Sequence, residues 1–224
     1  MACRPGCWRK GCGSDMGPDP GQTVPQANML EDLDLKDLET VVEMHRSAFA
    51  GDLSGMLGKP YLRCFYRQIM KSPDACCYVI KRDGKVAGFI AGAANLNTVW
   101  DWKFELKVAW YLLGGAVRRP AVVPEVLKSI PLYRYWNRRR ADIDPRGFSL
   151  VVLEEYRKAG IGTVLLDAWL QFLKRGGGAT VLIFTDANGP ATPYYLKRGF
   201  EFVKAVGLGG KRHNFLTYDL RKMG

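Results

Sequence analysis

No run of this 224-residue chain is long and apolar enough to span a bilayer. The longest suggestive stretch, VAWYLLGGAV at 108–117, is only half-length, where about 20 residues are needed. The N-terminus also lacks the apolar core of a secretory signal, so a cytoplasmic, reducing setting is the default expectation. Cys3, Cys7 and Cys12 form no CxxC pair and have no histidine nearby, which argues against a zinc site. Cys64, Cys76 and Cys77 sit in apolar surroundings and read as free thiols filling a core. There are two histidines in all, and no metal constellation is apparent. Internal repeats and recognised nucleic-acid motifs are missing too. Acidic residues are in deficit, 22 against 33 basic, for a net +11. Anionic partners are therefore favoured, although charge alone does not choose among nucleic acid, an acidic membrane surface and a phosphorylated small molecule.

What is present is enough apolar residue, 47%, for one sizeable core. Residues 1–27 are rich in Gly, Pro and small polar types and read as a disordered leader ahead of one domain at 28–224. Leu38, Val41, Val42, His45 and Phe49 follow helical spacing, and Pro60 opens a second helix with Leu62, Phe65, Tyr66 and Ile69 on one face. CCYVIKRDGKVAGFIAGAAN reads as a hairpin turning at Asp83-Gly84. Residues 97–146 then interrupt the pattern with Trp100, Trp102, Trp110 and Trp136. They hold ten basic and five acidic residues, so +5. That block is too long for an ordinary loop and reads as a helical insertion. Beyond it come a buried strand, an apolar helix and a second strand, a right-handed crossover of the α/β class. A shorter helix, PATPYYLKRG, and two strands, FEFVKAV and NFLTYDL, complete the chain.

The helix of that crossover opens in an unusual way. Residues 156–175 read YRKAGIGTVLLDAWLQFLKR, with glycines where the helix should start. Glycine costs a helix stability. A helix N-terminus, however, has unpaired N–H groups and a partial positive charge, and glycine removes the Cβ atoms that keep an anion away. Arg157 and Lys158 add positive charge. Two other phosphate cradles fail: Leu165 replaces the third glycine of GxGxxG, and AVGLGGKR lacks the first glycine and the Ser/Thr of a Walker motif.

The arrangement R-x-x-G-x-G, as Arg157-Lys158-Ala159-Gly160-Ile161-Gly162, resembles the acyl-CoA-binding motif of the GNAT N-acetyltransferase superfamily. Downstream, Asn188, Ala191, Tyr195, Gly199 and Phe200 fall in the places of that superfamily's second signature, N-x-x-A-x-x-x-Y-x-x-x-G-F. Each motif is moderately specific; together and in order they are a strong signal. The resemblance implies a mixed central sheet flanked by helices and splayed between its fourth and fifth strands, here 148–153 and 179–185. Acetyl-CoA would enter that gap as co-substrate. Val151, Val152 and Leu153 would pair with the pantetheine arm as an added strand does. The amides of Lys158, Ala159, Gly160, Ile161, Gly162 and Thr163 would hold the diphosphate, with Arg157 beside them, and Asn188 would orient the arm. Tyr195 stands at the place of the usual general acid, against the plainer reading of a tyrosine packing the sheet edge. Its neighbour Tyr194 is closer to that plainer reading.

The implied chemistry is direct attack of a neutral amine on a thioester in a ternary complex. A base is harder to assign. Glu154 is the candidate, beside Glu155, although many relatives have proline in its place and both suit solvated carboxylates at a strand end. His45 reads as a satisfied core histidine and His213 as a surface residue opening the last strand. The insertion is expected near the mouth of the site, as a wall for an anionic acceptor, a membrane contact, or an extra layer over the sheet; the last is favoured. The preferred function is N-acetylation of a small primary amine. The alternatives are a protein or peptide N-acetyltransferase and a non-catalytic module that senses CoA or binds nucleic acid.

Overall fold

The computed structural model describes residues 29–94, 99, 102–118, 123–124, 126–127, 146–208 and 211–223. The expected leader at 1–27, Trp100, Trp136 and much of the 97–146 insertion lie outside the described residues. In chain order the elements are β1 (Met29–Asp32), α1 (Leu38–Ala48), α2 (Leu53–Met56), α3 (Gly58–Lys71), β2 (Ala75–Arg82), β3 (Lys85–Ala93), α4 (Trp102–Arg118), β4 (Arg146–Val152), α5 (Ile161–Arg175), β5 (Thr180–Asp186), α6 (Ala191–Lys197), β6 (Glu201–Leu208) and β7 (Lys211–Asp219). Single 3₁₀ turns follow β4 at Glu154–Tyr156 and β7 at Leu220–Lys222.

The seven strands form one sheet in the order β1-β2-β3-β4-β5-β7-β6. Only β4 and β5 run parallel; every other neighbouring pair is antiparallel. The expected hairpin is present, with Asp83 and Gly84 at φ 51° and 72°. Positive φ at both central residues is what a two-residue turn needs to match the twist of its strands. Strand β5 lies inside the sheet, parallel to β4 and antiparallel to β7. Strand β1 and the one-turn helix α2 have too few residues to show a period, and neither is legible in the sequence.

Each sheet face buries its own layer. On one face α1 and α3 contribute Leu38, Val41, Val42, Leu62, Phe65, Tyr66 and Ile69, joined by Phe104 of α4. On the other lies α5, with Ile161, Leu165, Leu166, Trp169, Leu170 and Leu173 buried. Each of those side chains contributes about 1.5–3 kcal/mol on burial. The spacing of three and four over 161–173 put them on one broad face, as expected. Helix α5 comes unusually close to the sheet. A Cβ on Gly88 would meet the Ile161 side chain at 3.0 Å, and one on Gly92 would overlap the Trp169 indole. Two glycines four apart on β3 thus seat α5 and set where its first turn lies. Cys76 and Cys77 are buried free thiols and Cys64 is half-buried at the rim of the helical layer.

Candidate functional site

Strand β4 pairs with β3 along most of its length, from Arg146–Ala93 to Val152–Gly88. With β5 it pairs at Arg146–Leu182 alone among the described residues. The two strands diverge beyond that point, as expected, leaving a gap that widens toward the C-terminal ends of both.

The strand residues divide by direction. Leu153 donates its N–H to the Ala87 carbonyl at 3.0 Å. In an antiparallel ladder the hydrogen-bonded direction alternates, so Val151 and Leu153 spend their main-chain groups on β3, while those of Leu150 and Val152 face the gap. Of the three strand residues expected to pair with an extended arm, Val152 turns its main-chain groups to the gap; Leu150, which the sequence reading did not name, does the same. No local sequence signal could have found it, because the register belongs to the pairing.

After β4 the chain turns sharply into α5. Lys158 has φ 65° and Gly160 has φ 79°. Both are left-handed, a conformation that costs a non-glycine residue about 1–2 kcal/mol. Gly160 is the N-cap of α5, and a Cβ there would project into open space. At Gly162 a Cβ would be in ordinary contact, 3.4 Å from the Tyr194 hydroxyl and 3.7 Å from Val152. Among the described residues, the N–H groups of Lys158, Ala159, Gly160, Ile161 and Gly162 donate to no backbone carbonyl. Thr163 donates instead to the Gly160 carbonyl at 3.0 Å. Five successive donors, the positive helix end and the exposed side chains of Arg157 and Lys158 concentrate positive potential at this turn.

Tyr195, on α6, stands edge-on to Tyr194 and Phe200, with ring centroids 5.2 Å from each. Burial, and then the neighbouring Tyr194, push its phenol above the ordinary tyrosine range, so it stays protonated at neutral pH. Burial raises Tyr194 as well. Helix α6 is held by polar contacts: Thr192 Oγ1 lies 2.6 Å from Thr185 Oγ1 on β5, and the Asn214 amide of β7 donates to it at 3.2 Å. An Arg198–Asp167 ion pair at 2.6 Å ties α6 to α5. Asn188 is exposed, with its N–H donated to the Asp186 carboxylate at 2.9 Å. The Glu154 side chain is 88% exposed, 3.9 Å from Arg157, as a solvated carboxylate would be.

His45 is buried and fully engaged. Its Nδ1 lies 2.7 Å from the Tyr66 hydroxyl and 3.3 Å from Ser149 Oγ of β4, and its Nε2 lies 3.0 Å from Ser54 Oγ. Burial lowers its pKa to about 4. This is the satisfied core histidine expected. His213 differs from expectation: it is the third residue of β7, half-buried, with its ring edge-on to Phe184 at 5.6 Å. Strand β7 starts earlier than its apolar run because Lys211 and Arg212 already pair with β6. Among the described residues no group of three or more metal-ligating side chains occurs, and no helix is long and apolar enough to cross a membrane.

The model of the acetyltransferase (GNAT) family matches residues 38–200. A relative named N-alpha-acetyltransferase, from Sulfurisphaera tokodaii, is 27% identical over 175 residues, or 77% of this chain and 79% of the relative. Among solved structures, an N-acetyltransferase from Staphylococcus aureus Mu50 superposes with a TM-score of 0.59 at 15% identity, covering 87% of this chain and 99% of that one. An aminoglycoside 6'-N-acetyltransferase complexed with coenzyme A gives 0.56 at 12%, covering 86% and 97%. With a sheet split at the same place that both motifs imply, and a family match spanning most of the described fold, this chain belongs to the GNAT family of acetyltransferases.

Proposed function

We propose that this acetyltransferase moves an acetyl group from acetyl-CoA to a primary amine of a small molecule, by direct attack in a ternary complex. The observation that carries the reading is the split between β4 and β5 beside five unpaired main-chain donors. Acetyl-CoA would supply an acyl thioester already activated toward an amine. The chain's residues fit such a partner. The N–H groups of Lys158 to Gly162 meet the demand of a diphosphate, and Arg157 and Lys158 add charge without exact geometry. The free edge at Leu150 and Val152 suits an extended arm carrying amides, with Asn188 across the gap to orient it. Tyr195, a phenol that burial keeps protonated, is suited to give its proton to a departing thiolate. Glu154 is the candidate to take the amine's proton through water, since its exposed carboxylate is in contact with solvent.

A small acceptor, of the anionic kind that the chain's +11 favours, is the preferred substrate. A protein α-amine is the second reading, favoured by the relative named N-alpha-acetyltransferase. Thiol release from acetyl-CoA, measured over a panel of small amines and of peptides with free α-amines, separates them. Turnover on small amines is expected; turnover on peptides alone would replace the first reading with the second. Acetyl-CoA should also raise the melting temperature, and no rise at millimolar concentration would remove both.

A further inference from the structure

Helix α6 carries the phenol proposed as the acid, yet it has only seven residues and none of them is fully buried. A helix so short has little stability of its own. The Tyr194 and Tyr195 rings lean on the apolar layer that α5 forms, while Leu196 is exposed. The first turn of α6 is fixed instead by polar groups. Thr185 of β5 and Asn214 of β7 stand directly opposite each other in the sheet. Thr192 Oγ1 bridges that pair, 2.6 Å from Thr185 Oγ1 and 3.2 Å from the Asn214 amide that donates to it. A hydroxyl has one proton and two lone pairs, so Thr192 accepts from Asn214 and still has its own proton for Thr185. Thr185 is buried, where a lost partner is costly. It also lies beyond Leu182, at which β5 pairs with β4, and so on the stretch that borders the gap.

We propose that Thr192 is a positioning residue for the acetyl transfer: its two hydrogen bonds set the rotation of α6 and thereby hold Tyr195 beside the gap. Residues three apart on a helix share a face, so the bonds act on the same side of α6 as Tyr195, one turn away. The far end of α6 is tied elsewhere, by Arg198 to Asp167 of α5. With Thr192 loosened, α6 would pivot about that tie and swing its first turn off β5. A misplacement of about 1 Å costs about 10²-fold in rate. The inference rests on Tyr195 as the acid.

Variants of the full-length chain test it, with thiol release from acetyl-CoA read on the fastest acceptor of the panel above. Thr192→Val keeps the shape and removes the hydroxyl. Its kcat should fall about tenfold or more, with KM for acetyl-CoA changed less than about twofold, and Thr192→Ser should recover most of the loss. Added to Tyr195→Phe, Thr192→Val should change kcat by less than about twofold, because the group it positions is already gone. Amide exchange over 194–197, which needs no acceptor, should quicken in Thr192→Val and return in Thr192→Ser. Full turnover in Thr192→Val, an equal loss in both backgrounds, or unchanged exchange would overturn the proposal. A fully active Tyr195→Phe would overturn the acid and this inference together. A slow Tyr195→Phe beside an active Thr192→Val would overturn this inference alone. Should Thr192→Val not fold, Asn214→Ala, which breaks one of the two bonds, reads the same way with a smaller loss.

Discussion

The Trp169 indole nitrogen stands 2.1 Å from where a Cβ on Gly92 would be, so α5 rests on β3 only because residue 92 has no side chain. That contact, sharing one face with Gly88 beneath Ile161, fixes the height of α5 above the sheet and hence the position of its donor-bearing first turn. Replacing Gly92 with Ala should cost about 1–3 kcal/mol, because backbone and indole must both shift in a packed core. Denaturant midpoints at unchanged slope would measure it. A variant as stable as the parent would mean that α5 does not lie where described.

Gly160 needs its conformation rather than its space. Gly160→Ala should cost about 1 kcal/mol or more in stability, since φ 79° is strained for any side chain. It should also weaken acetyl-CoA binding about tenfold, as relaxing the loop moves the donors. Gly84→Ala is the control: it has a similar φ of 72° and open space, in a distant hairpin. Calorimetry should show a stability loss in both variants and an affinity loss in the first alone; equal affinities would discard the donor assignment.

Tyr195→Phe keeps the ring against Tyr194 and Phe200 and removes only the hydroxyl. Turnover should fall by about 10²–10⁴, with little change in coenzyme affinity. Because burial raises the phenol's pKa, the parent's activity should not decline through neutral and mildly alkaline pH on this residue's account. Full activity in the variant would end its role as acid.

His45 predicts a pH dependence of stability. Burial holds its folded pKa at about 4, below the ordinary imidazole pKa of about 6.5, so the unfolded chain binds the extra proton first. The stabilisation is complete above about 6.5, declines as pH falls, and is lost by about 4, a difference of about 3 kcal/mol. Acid titration of unfolding should show that slope in the parent and a flatter one in His45→Gln. Parallel slopes would show that the imidazole is not held neutral by burial.

Local features were readable where the chemistry is local. The period of three and four from Ile161 to Leu173 marks a buried helix face, Asp83-Gly84 marks a tight turn, and the glycines behind Arg157 and Lys158 mark a helix that opens with free main-chain donors, because each follows from neighbouring residues alone. Strand β1 and helix α2 were hidden because four residues carry no period. Leu150 was hidden because which main-chain groups face the gap depends on the register with β3. The Thr185–Thr192–Asn214 contacts that hold α6, and the Ser54, Tyr66 and Ser149 hydroxyls around His45, join residues far apart in the chain.

By itself, then, the order of residues determined the family, the helix that carries the donors and the residue types available for acid chemistry, since these rest on spacing within one element. Only the tertiary structure decided that β4 and β5 part after Arg146, that Gly160 supplies a left-handed cap, and that α4 turns an apolar stripe outward. Those facts arise from how separate elements pack, and packing is a property of distances that no short stretch of sequence contains.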